Sequence, residues 1–588
     1  MTPRTFKPSA RTITLVLALA SLFSLSLALW AVFPRLSASE QLAHGHSGPV
    51  EMPWRFSEVS NGNQLSVHLA VNWLTPRRWN ITPDDRLTAL RINGQAVPLD
   101  RVPAGGLSDW RNGFAIDLSP WLHRGDNQLD FTVDNYYLNG GIVLHPLAGW
   151  RVLLLAGGLL PWLLALSRMF RLRRSQTLIL GGALLLMGLY WAATPWTLRN
   201  HDVGYYGGTE TGHLAYVGYV AEHLALPRPD LGWEYFQPPL YYAVGALAWR
   251  WAQWLNLPPA EALQALALAF WLVFLAASAA TLRLSLRRSP ALLGLATAAL
   301  ALWPSGIMHG LRLGNDPPMY AAAAVATWWM VRWWRSGRDR HVYGMALAIA
   351  VALLCKTNAI ALLAAASGLL VLRLLASPKR RRVWVQAATA SAIMAGGVLL
   401  SLFRGLWYWW HGQIPSWLIA NIGLLDSSLR VPNQIRYFLP LDIPVFLTSP
   451  WADTRDDATG RANVWNFLLR SSLSGEFQFD GALKRRIALA WGVLLLWLLG
   501  LLLLRLSQLR FSPAKLWREM PLSVLSLSWL ASLLAVRIEY PFACKADFRF
   551  VLPLLLPFLI ACVRSGVLAR SLLLLLSLGS GVFFIALQ

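Results

Sequence analysis

The stretch Leu263–Arg288, LQALALAFWLVFLAASAATLRLSLRR, decides the class of this protein. From Leu263 to Leu282 it carries no charge, and Arg283, Arg287 and Arg288 follow at once. A helix of about 20 apolar residues matches the hydrocarbon thickness of a bilayer. A basic cluster directly after such a run marks the cytoplasmic side. The same pairing of apolar run and basic cluster recurs on both sides of this segment.

Reading runs and clusters together predicts about thirteen spans: 13–33, 152–166, 177–194, 263–282, 291–305, 320–330, 342–354, 359–375, 383–403, 487–504, 522–536, 551–563 and 571–587. With a cytoplasmic N-terminus, the clusters at Arg168–Arg174, Arg283–Arg288, Arg332–Arg340, Lys379–Arg382, Arg505–Arg518 and Arg564–Arg570 all fall on one side. Three large polar segments, 34–150, 195–260 and 404–486, then face the other. The chain thus reads as an α-helical polytopic membrane protein with its first helix, residues 1–33, uncleaved. Phe33-Pro34-Arg35 is a poor signal-peptide cleavage site, and the run is long for a signal peptide.

Composition agrees. Of 588 residues 56% are hydrophobic, 31 are Trp and only 14% are charged, more apolar surface than a soluble chain could bury. The excess of 52 basic over 29 acidic residues, +23, would suggest nucleic acid in a soluble protein. Its confinement to short clusters between apolar runs assigns it to membrane orientation instead. Cys355, Cys544 and Cys562 cannot all pair and show no CxxC spacing, so neither a disulfide framework nor a thiolate metal site is expected.

Segment 34–150 alternates with period two, as in Leu65, Val67, Leu69 and Val71, and again in Leu129, Phe131 and Val133. Asn61-Gly62, Asn93-Gly94, Asn112-Gly113 and Gly125-Asp126 punctuate it as turns. It is expected to be an inserted extracytoplasmic β-sandwich, either a carbohydrate- or acceptor-binding unit or a cap on the membrane part. The stretch INGQAVPL…GFAIDLSPWLHRGDNQLDFTVDN resembles the jelly-roll sandwiches appended to carbohydrate-active enzymes.

The loop 195–260 concentrates the chemistry. Asp202, Glu210 and His213 lie close together just past a span. His213, Tyr216, Val217, Val220 and Leu224 then share one face of a helix over 213–223. Pro238-Pro239 opens a second short helix, LYYAVGALAWRWAQWL. Both are expected to lie along the membrane surface and roof a cavity.

These features resemble the GT-C superfamily of membrane glycosyltransferases, in the branch (family 39-like) of protein O-mannosyltransferases and the lipid A aminoarabinose transferase. The resemblance rests on an acid past the span, GHLAYVGYVAEHLALPRP, QPPLYY, RLGNDPPMY, LCKTNAIALL, WNFLLRSSLSGEF and YPFACKADFRFVLPLLLP, across roughly 176–588. It implies a GT-C-like catalytic part, 151–588, facing the periplasm from a bacterial inner membrane. It implies inverting transfer of a sugar from a polyprenyl-phosphate donor to a glycolipid, polysaccharide or protein acceptor. On it, the general base is Asp202 or Glu210, and Asp316 is a second acid that orients acceptor or holds a cation. His213, Tyr216, Gln237, Tyr241 and Glu476 fall among the substrate-contacting positions.

A leaving phosphate needs fixed cations. Lys356 lies between two apolar runs, where an ammonium needs a partner or must snorkel. Arg549 and Arg312 complete the expected phosphate-binding set, and the structural alternative for Arg549 is a pair with Asp547. For Asp316 the alternative is a helix N-cap ahead of Pro317. His309 is expected to pack a loop. A divalent cation on Asp202, Glu210 and His213 is the one cofactor these residue types would suit, although no DxD or HExxH is present. The tryptophan tracts 405–412 and 328–334 are expected to be interfacial belts.

Two other functions compete. A transporter or flippase of lipid-linked glycans would be expected to show repeated halves and midplane charges, and the sequence shows neither. A polysaccharide polymerase or ligase would use a lipid diphosphate and lack the acid-then-QPPLYY loop.

Overall fold

The computed structural model describes residues 9–103, 105–110, 113–137, 140–194, 196, 212–420, 427–508 and 512–587. The described residues form a mostly helical protein, 63% helix in 18 α-helices. Among the described residues ten helices are long and apolar enough to cross a membrane. They are Thr12–Val32, Gly149–Met169, Arg174–Ala193, Pro259–Leu286, Thr357–Ala376, Arg381–Trp410, Ala482–Ser507, Pro513–Glu539, Ala543–Arg564 and Val567–Ile585.

These coincide with ten of the thirteen expected spans. The other three exist as helices of a different kind. Pro290–Ala301 has 12 residues and Asp339–Cys355 has 17, roughly 18 and 26 Å at 1.5 Å per residue. Asp316–Ser336 has 21 residues, 15 of them buried, but it opens on an aspartate and carries Arg332 and Arg335 near its end. A helix largely wrapped by protein need not be apolar toward lipid, so hydropathy delimits it poorly.

The basic clusters meet at one end of the helices. Arg335 donates to the carbonyl of Leu284 (2.8 Å), Arg173 to Arg287 (3.0 Å) and Arg564 to Ser285 (3.0 Å). In the tract 328–334, at this end, Trp333 and Trp334 are buried by neighbouring helices while Trp328 and Trp329 are half-buried. Trp333 is fully buried, Trp334 donates to the carbonyl of Trp517 (2.6 Å), and the Arg332 guanidinium lies 4.5 Å from the Trp328 ring. Trp407, Trp409 and Trp410, in contrast, are exposed. Small residues set the closest helix approaches: a Cβ on Gly158 would lie 2.9 Å from Leu25 Cα, and one on Gly397 2.7 Å from Ala350 Cα.

The described residues of segment 34–150 form ten antiparallel strands: β1 (Leu36–Gln41), β2 (Ser47–Val50), β3 (Trp54–Phe56), β4 (Ser60–Val71), β5 (Arg78–Pro83), β6 (Arg86–Ile92), β7 (Gln95–Ala96), β8 (Phe114–Asp117), β9 (Gly125–Asn135) and β10 (Gly140–Pro146). They make a six-stranded sheet, β2-β1-β4-β9-β6-β7, and a four-stranded one, β3-β10-β5-β8. The alternation read from the sequence holds, because Leu65, Val67, Leu69, Leu129, Phe131 and Val133 all point into one shared core. At the β6–β7 turn Asn93 and Gly94 both take positive φ, 52° and 80°, as an Asn-Gly hairpin requires. His145 on β10 fastens this unit to the helices, meeting the ring of Phe33 (6.3 Å between centroids) and the carbonyl of Ala192 (3.1 Å).

Candidate functional site

At the end of the helices away from the arginine clusters, two short helices form where the sequence places them, His213–His223 and Leu240–Trp254. Tyr216 stacks on Tyr242 with ring centroids 3.6 Å apart, and Tyr242 hydroxyl meets His213 Nδ1 at 2.9 Å. His213, Tyr216, Val217 and Val220 are buried as expected. Leu224 is not; it caps the helix in left-handed conformation and is exposed, because the helix stops before that face is completed. Arg404, inside the helix Arg381–Trp410 and not at the start of a loop, holds this layer down. It donates to the carbonyls of Pro227 (3.1 Å), Tyr235 and Gln237 (3.0 Å).

The layer is wired to the turn Gly314-Asn315-Asp316. Tyr241 hydroxyl accepts from Gly314 N (3.1 Å), and Gly314 has φ +141° with the His213 ring where a Cβ would stand, 2.8 Å away. Gln237 donates to Glu234 (3.0 Å) and accepts from Asn315 (3.1 Å), whose amide also donates to the carbonyl of Cys355 (3.0 Å). His213 Nε2 is 3.7 Å from Glu234. Burial outweighs that carboxylate and pushes the imidazole down to about 4, so His213 is neutral at pH 7.

Asp316 is not an N-cap; Asn315 occupies that position and Asp316 begins the helix proper. Its carboxylate instead meets Lys356 Nζ at 2.6 Å, with both side chains almost fully buried. Lys356 therefore does not snorkel. It follows the last residue of helix Asp339–Cys355 in extended conformation, and its ammonium lies 5.4 Å from the Phe550 ring.

Arg549 bridges two carboxylates, Glu476 and Asp547, each at 3.4 Å. The anticipated Asp547 pair thus exists, but as half of a three-membered cluster. Tyr320 hydroxyl donates to the Arg549 carbonyl (2.6 Å), tying this cluster to the helix that Asp316 opens. Burial alone would raise the Glu476 carboxyl; Arg549 and Arg312 override it and hold it below the usual range.

Arg312 differs from the other two cations. It is buried, its guanidinium lies 5.5 Å from the Phe477 ring, and among the described residues its Nη1 has no hydrogen-bond partner. His309, expected only to pack a loop, ends the short helix Pro304–His309, with both ring nitrogens buried and, among the described residues, unpartnered. Unsatisfied buried donors are costly, and this pair stands beside the same Phe477. The site can therefore receive oxygen acceptors on Arg312 without breaking an existing ion pair.

Asp202 and Glu210 lie outside the described residues, so the expected metal set with His213 does too; among the described residues no three His, Cys, Asp or Glu side chains group to hold a metal. The structure brings together His213, Tyr216, Gln237, Tyr241, Asp316, Lys356, Arg312, Glu476 and Arg549 from segments far apart in the chain. Glu234, Tyr242, Asn315 and Arg404 join them without having been singled out. Glu234 and Tyr242 sit within or beside quoted motifs, but nothing local marks Arg404.

Ten helices of spanning length and apolarity make this a multi-pass membrane protein, with a buried ionic cluster at one helix end. No protein-family model and no curated protein matches the chain.

Proposed function

We propose that this protein is an inverting glycosyltransferase that moves a sugar from a polyprenyl-phosphate donor to an acceptor on the outer face of a bacterial inner membrane. The observation that carries the proposal is the buried cluster of three cations, Lys356, Arg549 and Arg312, of which Arg312 has an unsatisfied arm. Fixed cations in a site shielded from water are what a departing lipid phosphate requires.

In the proposed reaction an acceptor hydroxyl or amine attacks the anomeric carbon as the bond from that carbon to the phosphate oxygen breaks. Asp202 or Glu210 takes the acceptor's proton, and the electron pair of the broken bond stays on the phosphate. Arg312 meets that charge first. Lys356 and Arg549 follow, to the extent that Asp316 and Glu476 yield them. Asp316 positions Lys356, and the chain Glu234–Gln237–Asn315 holds the roof helices over the cluster.

The architecture supports the same reading. Strands β3 to β10 lie in the order of a jelly roll, β3-β10-β5-β8 in one sheet and β4-β9-β6-β7 in the other, with β1–β2 added at an edge. The helices Pro290–Ala301, Asp316–Ser336 and Asp339–Cys355 bring the spans to thirteen. Gathering of the arginine clusters at one end, about 30 Å of helix away from Asp316, supports a cytoplasmic basic face and a periplasmic site.

The test is transfer of labelled sugar from defined polyprenyl-phosphate donors by the purified full-length protein. Asp202→Asn and Glu210→Gln are compared with wild type, and loss of the base is expected to cost about 10²–10⁴-fold in one of them. Full activity in both variants, or no transfer by wild type from any polyprenyl-phosphate sugar, would overturn the proposal.

A further inference from the structure

At the opposite end of the molecule lies a second feature that the proposed transfer reaction does not use. Residues 332–340 and 379–382 hold eight basic side chains against one acid, Asp339. They meet where helix Asp339–Cys355 runs beside helix Arg381–Trp410. There Asp339, Tyr343, Arg381, Arg382 and Val385 line an open cleft of about 370 Å³. Arg382 pairs with Asp339 (2.9 Å), and the buried Gln386 donates to the Gly337 carbonyl (2.9 Å), which fixes the floor. Arg381 is exposed, and Asp339, the one acid of the two segments, is already paired with Arg382.

Below this basic mouth the two helices present apolar stripes to the outside. On one helix Tyr343, Leu347 and Val351 follow at four-residue spacing; on the other Val385, Ala388 and Ala392 follow at spacings of three and four. Leu347 is 61% and Val385 49% exposed. Both helices lie in the part of the chain that reads as membrane-embedded, so these stripes face acyl chains. Small side chains on the second stripe leave a shallow furrow between the helices. A basic mouth above an apolar furrow is complementary to one kind of molecule, an amphiphile with an anionic head.

We infer that this cleft is a binding site for an anionic phospholipid, with the phosphate on Arg381 and Arg382 and an acyl chain along Leu347, Val351, Val385 and Ala392. The site is independent of the proposed transferase reaction. It would couple the charge of the surrounding leaflet to the packing of helix Asp339–Cys355, whose far end leads into Lys356.

The test uses full-length protein reconstituted in nanodiscs of phosphatidylcholine, with or without phosphatidylglycerol. The readouts are thermal unfolding and lipid retained through native mass spectrometry. Wild type is expected to retain phosphatidylglycerol and unfold at a higher temperature with it. The double variant Arg381→Gln/Arg382→Gln should bind it about 30-fold more weakly, the effect of removing two basic groups near a membrane surface. Val385→Trp, which fills the furrow and keeps every charge, should lose the retained lipid as well. Arg174→Gln/Arg288→Gln, at the same basic end but outside the cleft, should behave as wild type. Equal losses in that control would reduce the effect to general surface charge and overturn the site. So would unchanged binding in both cleft variants, or an equal thermal gain from inorganic phosphate alone.

Discussion

At the residue scale the defining contact is Lys356 on Asp316, 2.6 Å apart and buried. Removing one member of a buried pair strands the other, which costs about 3–5 kcal/mol, whereas removing both costs much less. Lys356→Met and Asp316→Asn are each expected to lower the unfolding temperature sharply, and the double variant is expected to recover most of the loss. Additive losses, measured as a double-mutant cycle, would show that the two side chains are not coupled. Acid sensitivity belongs to the same scale. Burial pushes both His145 and His213 down to about 4. Above about pH 6.5 each is neutral in the folded and the unfolded chain, so neither adds pH dependence. Between about 6.5 and 4 only the unfolded chain takes up the proton, so stability falls as pH falls, by about 1.4 kcal/mol per unit for each histidine. Replacing His213 with Gln is expected to reduce the measured slope by about 1.4 kcal/mol per unit in denaturation followed from about pH 6 to 4.5. An unchanged slope would mean that its imidazole is already charged in the fold.

At the element scale the helices over 213–223 and 240–254 were legible, because a one-sided apolar face and a Pro-Pro start are local signals. Their attachment to the turn before Asp316 was not. It depends on Gly314, whose φ of +141° and missing Cβ admit the His213 ring. Gly314→Ala is expected to destabilise by about 1–3 kcal/mol through backbone strain and overlap. Any sugar transfer should fall with it, while the distant sandwich keeps its β signal in circular dichroism. An Ala variant with full stability and activity would refute the close packing. The helices Pro290–Ala301, Asp316–Ser336 and Asp339–Cys355 show the converse. Their apolar runs were visible, but the true length of Asp316–Ser336 was hidden by Asp316, Arg332 and the tryptophans, which neighbours bury.

At the scale of the whole molecule the arrangement predicts sidedness. Single cysteines at Asp100 in the sandwich and Arg455 in the long loop should react with an impermeant thiol reagent from the periplasmic side. A cysteine at Arg338 should react only after the membrane is opened, and any reversal would overturn the proposed orientation. Hydropathy and charge order were enough to mark ten spans and one basic end, since a bilayer acts on each run separately. Strand alternation and the Asn93-Gly94 turn likewise disclosed the β unit, because both follow from neighbours in the chain. Which cations are free was decided only by folding. Lys356, Arg549 and Arg312 look alike in sequence, but Asp316 lies 40 residues from Lys356 and the Tyr320–Arg549 bond spans 229. Ion pairing depends on distance in space, and helix packing sets that distance. Two of the three arginine and lysine charges acquire carboxylates, and Arg312 is left with an aromatic ring and an open hydrogen-bonding arm.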